Sequence, residues 1–316
     1  MINTTKLIIV RAHIAVEVTW KLKRPITRKG MAMNNREQRV SIAQETLALM
    51  ERGSYQNRLG QTVSIKQALA AAVRGSIHYR GEDLQQLLGV QQTGKRYATR
   101  FLVANQTSLA AARQLLAQGH EDVLCLNFAS ARNPGGGFLG GAEAQEENLA
   151  KSSGLYPCIV QMSGMYEANR RMKSCVYLDD MIYSPGVPVF RDDNYQYLDE
   201  PCLVSMVTAP AVNRGAVAQH EPGRLPEAEL IMQRRIGLLL ALAKQHQHKA
   251  LVLGAWGCGV FANDPVAMAQ WFAYHLLENP DYCDTFEVIS FAVLDRRDGR
   301  TFAAFADAFG AVAARA

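Results

Sequence analysis

Apolar residues at three- and four-residue steps (Val40, Ala43, Leu47, Met50) predict a first helix over residues 36–52, which Gly53 stops. Ser64 opens a second predicted helix that runs to about Arg74 and ends at Gly75. Residues 77–96 are polar and mixed and define no element. From Thr99 the pattern alternates. A short strand is expected at 101–104, then a helix capped by Thr107 or Ser108 that runs to about Gln118. A strand at 123–128, a helix from about Ala144 and further helix over 155–171 follow. Residues 176–178 and 181–183 look extended, Pro185-Gly186 is a turn signal, and 187–190 is the returning arm of a hairpin. Pro188 has no N–H, so that arm is expected at a sheet edge.

The remainder repeats the alternation: a strand at 203–207, a polar loop at 213–225, a long helix at 227–245, a strand at 250–253, a helix at 265–277, a strand at 286–293 and a last helix at 301–314. Strands alternating with helices predict an α/β protein whose sheet lies between helical layers. No Pro/Gly/Ser-rich linker divides the chain. One domain is therefore expected, with residues 34–98 as a helical extension and 99–316 as the α/β core.

Composition sharpens this picture at one end only. Of 316 residues, 48% are hydrophobic and 20% charged, as in an ordinary globular protein. The net charge of +5 is concentrated: residues 1–40 hold nine Lys or Arg and two Glu, and the body is close to neutral. That argues against a body built around a basic nucleic-acid groove. Residues 1–33 read as a basic tail, expected to be disordered or dispensable. The apolar stretch at 7–18 is broken by Arg11, His13 and Glu17 and is too short to span a bilayer. The six cysteines form no C-x-x-C pair, so reduced thiols in a cytoplasmic protein are expected, with no metal and no cofactor. The acid pairs Asp179-Asp180 and Asp192-Asp193 read as turn residues, and His246 and His248 as solvated residues near a helix end. A monomer is the default.

The chemistry lies in two loops. The apolar run 123–128 leads into Asn133-Pro-Gly135-Gly136-Gly137, and the next predicted helix opens on Gln145-Glu146-Glu147. Glycine lets backbone N–H groups approach an anion, and carboxylates are the usual tools for breaking a glycosidic bond. The apolar run 250–253 leads into Gly254-Ala-Trp-Gly257-Cys258-Gly259-Val260-Phe261, with Asp264 as a helix cap and Pro265 in the first turn. In α/β sheets ligands bind beyond the carboxyl ends of strands, so two such loops would clasp one anionic ligand, such as a nucleotide-sugar diphosphate. Neither loop carries the Gly-Lys-Ser/Thr of a P-loop. Helical neighbours point about 100° apart, so Glu146 and Glu147 take different jobs, and spacing alone does not choose between them.

Gly135-Gly136-Gly137, then Phe138 to Ala144, then Gln145-Glu146-Glu147 resembles the signature of poly(ADP-ribose) glycohydrolases of the short microbial type. The loop Gly257-Cys258-Gly259-Val260-Phe261 is similar to that family's diphosphate-binding loop, and the phrases at 181–190 and 208–213 are similar as well. The resemblance spans about residues 36–310. It implies a macrodomain-like mixed sheet between helices and hydrolysis of the ribose–ribose O-glycosidic bonds of poly(ADP-ribose), releasing ADP-ribose. It assigns Glu147 as general acid and base and Glu146 as a holder of ribose hydroxyls. Asn133, Gln145 and Phe261 fall to the substrate's riboses and their surroundings, and Gly135–Gly137 and Gly257–Val260 to its phosphates. No counterpart of the animal enzymes' tyrosine-bearing clasp is present, which favours trimming from chain ends. The alternatives are a macrodomain that binds ADP-ribose without cutting, or a hydrolase of mono-ADP-ribosylated protein or nucleic acid.

Overall fold

The computed structural model describes residues 4–11, 14–21, 35–89 and 96–313. Within the basic N-terminal segment, β1 (Thr4–Arg11) and β2 (Ile14–Lys21) pair antiparallel as a sheet of their own. The helix expected at 36–52 is α1 (Asn35–Arg52). A small antiparallel pair, β3 (Ser54–Gln56) and β4 (Thr62–Ser64), leads into α2 (Lys66–Gly75). The undefined stretch holds β5 (Ile77–Tyr79) and α3 (Gly81–Gln85).

The core then runs β6 (Arg100–Ala104), α4 (Ser108–Ala117), β7 (Val123–Phe128), α5 (Gln145–Ser152), α6 (Leu155–Val160), α7 (Ser163–Arg171), β8 (Met181–Arg191) and β9 (Tyr197–Ala209). It closes with α8 (Arg214–His220), α9 (Leu225–Gln245), β10 (Ala250–Leu253), α10 (Pro265–Ala273), β11 (Val288–Ala292) and α11 (Arg300–Ala313). Seven strands make one sheet in the order β5-β8-β9-β7-β10-β11-β6. The five from β9 to β6 are parallel, and β8 runs against them. This is the sheet between helical layers that the alternation predicts, mixed and macrodomain-like as the resemblance implies.

Strand periodicity explains the two helical layers. Leu124 and Leu126 of β7, Leu251 and Leu253 of β10, and Ile289 and Phe291 of β11 point into one core with α9, α10 and α11. The intervening Val123, Cys125, Ala250, Val252 and Val288 point into the other, with α4, α6 and α7. A third cluster joins α1 to Tyr55, Ile65, Phe190, Tyr156 and Phe138. Because Phe138 belongs to the first glycine loop, the N-terminal extension is packed against that loop.

Several expectations are corrected. Residues 181–191 are one strand, not a hairpin: Pro185-Gly186 is a bulge at a register shift between Ser184 and Val187, and Gly186 takes φ +52° there. Past Tyr183, β8 has no second strand on its outer side among the described residues, so Pro188 interrupts no ladder. Residues 176–178 are not a strand, 155–171 is split into two helices, and the polar loop at 213–225 contains α8, capped by Asn213.

Asp179 and Asp180 are buried anchors, not turn acids. Arg235, fully buried, meets Asp179 Oδ1 at 2.8 Å and donates to the carbonyls of Pro210, Val176 and Tyr177 at 2.9, 3.0 and 3.1 Å. His78 meets Asp180 at 2.8 Å. Asp192 does serve its turn, accepting from the amides of Asn194 and Gln196. His248 is buried between Asp122 (3.0 Å) and Tyr183 Oη (2.9 Å). His246 stacks on the Tyr183 ring at 3.6 Å, and burial pushes its pKa down to about 4. Tyrosines from distant strands supply these partners, which a polar run in the sequence does not advertise. The six cysteines are free thiols, and no helix among the described residues is long and apolar enough to cross a membrane.

Removing one partner of a buried ion pair leaves the other charge uncompensated. Asp179→Ala should therefore cost about 3–5 kcal/mol in urea unfolding; a loss under about 1 kcal/mol would show that the carbonyls alone satisfy Arg235.

Candidate active site

β7 and β10 are adjacent and parallel, so the loops that leave their carboxyl ends are neighbours. The first loop folds back over the start of α5. Gly135 and Gly136 take left-handed conformations, φ +72° and +59°. The Gly137 amide donates to Glu147 Oε1 at 2.8 Å. A Cβ at Gly136 would collide with the Glu147 carboxylate, and one at Gly137 would lie 2.9 Å from Ala142 Cβ. The glycines are required because backbone, without side chains, must lie directly on the two acids.

The acids differ in setting. Glu146 is the more buried, with Oε2 accepting from the Ser130 amide at 2.7 Å and Oε1 facing Asn127 Nδ2 at 3.4 Å. Its pKa is pushed up to about 8, by burial first; the Ser130 amide opposes this and the neighbouring Glu147 charge adds to it. A helix N-terminus favours carboxylate anions, but here desolvation outweighs it and favours the protonated form of Glu146. Glu147 is 8% exposed and held by the loop alone among the contacts just described.

Gln145 faces inward. Its Oε1 accepts from the Phe128 amide at 2.9 Å, and its Nε2 donates to the Leu126 carbonyl and Ser108 Oγ at 2.7 and 3.0 Å. Both amide hydrogens are thus used, and Gln145 ties the start of α5 to the end of β7. Asn133 lies at the exposed rim, its amide on Ser130 Oγ and its carbonyl accepting from Gly136. From behind, Arg36 and Arg39 of α1 donate to the carbonyls of Gly140 and Gly141 at 3.0 and 2.8 Å, and Thr46 to that of Lys151 at 2.8 Å. Lys151, fully buried, meets Glu143 at 2.5 Å under the Tyr195 ring. The extension therefore fixes both ends of the catalytic segment.

The second loop is scaffolded differently. Gly257 (φ +75°) packs on Ala211 and Asn263, and Asn263 Nδ2 donates to the carbonyls of Val212 and Gly257 at 2.8 and 3.2 Å. Buried Trp256 donates to the Ala209 carbonyl at 3.1 Å, and the Gly215 amide to that of Phe261 at 2.9 Å. The Cys258 amide turns in to the Ala255 carbonyl at 3.1 Å, and burial pushes its thiol up to about 12. The amides of Gly259, Val260 and Phe261 donate to no acceptor among the described residues, and the Val260 side chain is 89% exposed. The loops thus differ: the first spends its Ser130 and Gly137 amides on carboxylates, and the second presents consecutive donors. Phe261 lies half-buried, its ring 6.0 Å from that of Tyr177.

The structure brings Glu146, Glu147 and Gly135–Gly137 into one contact group, sets Gly257–Phe261 on the neighbouring strand end, and turns Gln145 away into the strand. Sequence reasoning missed Ser130, Asn127 and Asn263. Of these only Asn127, a polar residue in an otherwise apolar buried strand, carried a signal. A cavity of about 540 Å³ lined by His78, Arg80, Arg171 and Asp180 contains none of the loop residues.

Paired acids under a glycine loop, beside a donor loop at the carboxyl ends of a mostly parallel sheet, define a macrodomain-like glycoside hydrolase. Residues 43–192 match the family model for the catalytic domain of microbial-type poly(ADP-ribose) glycohydrolase. The poly(ADP-ribose) glycohydrolase of Thermomonospora curvata is 45% identical, with 86% of this chain and 99% of that chain aligned and a TM-score of 0.82. Its structure with the inhibitor ADP-HPD aligns over 85% and 98% at 45% identity, TM-score 0.80. The Deinococcus radiodurans enzyme in complex with ADP-ribose is 42% identical over 77% and 97%, TM-score 0.71. Comparison with curated proteins gives no match. The chain belongs to the microbial-type poly(ADP-ribose) glycohydrolase family, glycoside hydrolases that degrade poly(ADP-ribose).

Two outcomes follow from the carboxylate contacts. Gly136→Ala should displace Glu147 and lower kcat by about 100-fold; a kcat within threefold of the parent would show that the contact is dispensable. The folded pKa of Glu146 lies above that of an unfolded carboxyl, so its stabilising effect is complete below about pH 4.5 and lost as pH rises through about 8. Relative to Glu146→Gln, which stays neutral, the parent's Tm should fall between pH 5 and 8; parallel pH profiles would refute the raised pKa.

Proposed function

We propose that this protein removes ADP-ribose units from the ends of poly(ADP-ribose), with Glu147 as general acid and base. The observation that supports the reading is the Gly137 amide on Glu147 Oε1 at 2.8 Å, which holds one carboxyl of the α5 start against the first loop. The terminal ADP-ribose would lie between the two loops, its diphosphate on the amides of Gly259, Val260 and Phe261 and its distal ribose against Asn133 and Phe261. The complex of the D. radiodurans relative with ADP-ribose supports this choice of ligand.

Glu147 would protonate the ribose oxygen that leaves as the O-glycosidic bond breaks. The anomeric carbon passes through an oxocarbenium-like state, and the resulting Glu147 carboxylate draws a proton from the attacking water. The nearby diphosphate offsets the developing positive charge. Glu146, buried and with its pKa raised by burial, supplies an O–H toward a ribose hydroxyl. Gln145 acts as the pin that keeps α5 in register with β7.

General acid–base catalysis contributes typically 10²–10⁴-fold. Glu147→Gln should therefore lower kcat on polymer by about 1,000-fold while ADP-ribose affinity by calorimetry stays within a few-fold of the parent. The parent should release free ADP-ribose from the first time points, without oligomers. Retained turnover in the variant would reject the role of Glu147, and early oligomers would reject cleavage from chain ends.

A further inference from the structure

Among the described residues, four arginines place a guanidinium nitrogen in a solvent-free position without a hydrogen-bond acceptor: Arg113, Arg132, Arg191 and Arg214. Three of them have a carboxylate beside them, Asp193 at 3.7 Å, Glu45 at 2.9 Å and Glu229 at 3.7 Å. Arg132 has none among the described residues. The acid near this part of the chain, Glu221, is taken by Ser174 Oγ, the Cys175 amide and Arg224.

Arg132 stands in the first loop, two residues beyond the Ser130 that holds Glu146. Its guanidinium carbon lies 5.6 Å from the centroid of the Tyr177 ring, and that ring lies 6.0 Å from Phe261 of the second loop. Tyr177 has φ +58°, a conformation that a bulky residue adopts at a cost and keeps only where its surroundings enforce it. Arg235 enforces it by holding the Tyr177 carbonyl at 3.1 Å. A cation on an aromatic face, built on a strained residue, bridges the two loops. A guanidinium over a ring in this way keeps edge N–H groups for an oxyanion that accepts two hydrogen bonds.

We infer that Arg132 is a phosphate-binding residue for the polymer, an inference that rests on the activity proposed above. The phosphate belongs either to the ADP-ribose unit in the cleft or to the preceding unit of the chain. The test compares Arg132→Met, which keeps the apolar stem on Tyr177 and removes the charge, with Arg132→Lys, in the full-length protein. Tm is measured alongside, so that a packing defect is seen as such. Arg132→Met should lower kcat/KM on polymer about 10- to 100-fold at unchanged Tm and flatten its dependence on NaCl; Arg132→Lys should recover part of the loss. An equal fall in ADP-ribose affinity by calorimetry assigns the contact to the bound unit. Unchanged ADP-ribose affinity with a raised polymer KM assigns it to the preceding unit. Polymer kcat/KM and ADP-ribose affinity both within threefold of the parent in Arg132→Met would overturn the role, as would a loss that follows a fall in Tm in both variants. Glu147→Gln inactivity with intact ADP-ribose binding would leave the catalytic reading standing in either case.

Discussion

The site depends on the contact of bare backbone with two adjacent carboxyl groups. Gly136 and Gly137 lie where any side chain would strike Glu147 or Ala142, and the Gly137 N–H spends its one bond on Glu147. Much else in this half of the molecule serves that contact. Phe138 anchors the loop in the cluster formed with α1, Arg36 and Arg39 hold its far carbonyls, and Gln145 fixes the helix start to the strand end. A charged pair of neighbouring carboxylates in so buried a place would repel, and burial raises the pKa of Glu146, which opposes its ionisation.

The second loop needs the opposite property. The amides of Gly259, Val260 and Phe261 are left without acceptors among the described residues, and the loop is supported from below by Trp256, Asn263 and Ala211. The end of β9 is the common base, since the Ala209 and Val212 carbonyls receive Trp256 and Asn263 while Arg235 holds Pro210. One buried arginine thereby couples the loop platform to the segment that carries Tyr177.

Much of this was legible in the residues themselves. Continuous apolar runs leading into glycine-rich loops marked both loops, and the Gln-Glu-Glu at a helix start marked the acids, because these signals are local. What was not legible depends on distant partners. Asp179 and Asp180 read as turn acids because Arg235, 56 residues on, and His78, 102 residues before, give no local sign of pairing with them. His246 and His248 sit in a polar run, yet Tyr79 and Tyr183 bury them. The hairpin expected at Pro185-Gly186 failed because a Pro-Gly pair fits a bulge as well as a turn, and only the pairing with β9 decides. The expectation of phosphate contacts from Gly135–Gly137 treated all glycine amides as free, whereas Gly136 and Gly137 have theirs engaged within the protein.

The most direct measurement is a crystal structure of this protein with ADP-ribose bound. The account requires the Glu147 carboxyl within about 3 Å of the hydroxyl on the anomeric carbon, and the diphosphate on the amides of Gly259, Val260 and Phe261. A complex in which Glu146 takes that place, or in which the diphosphate lies away from the second loop, would contradict it.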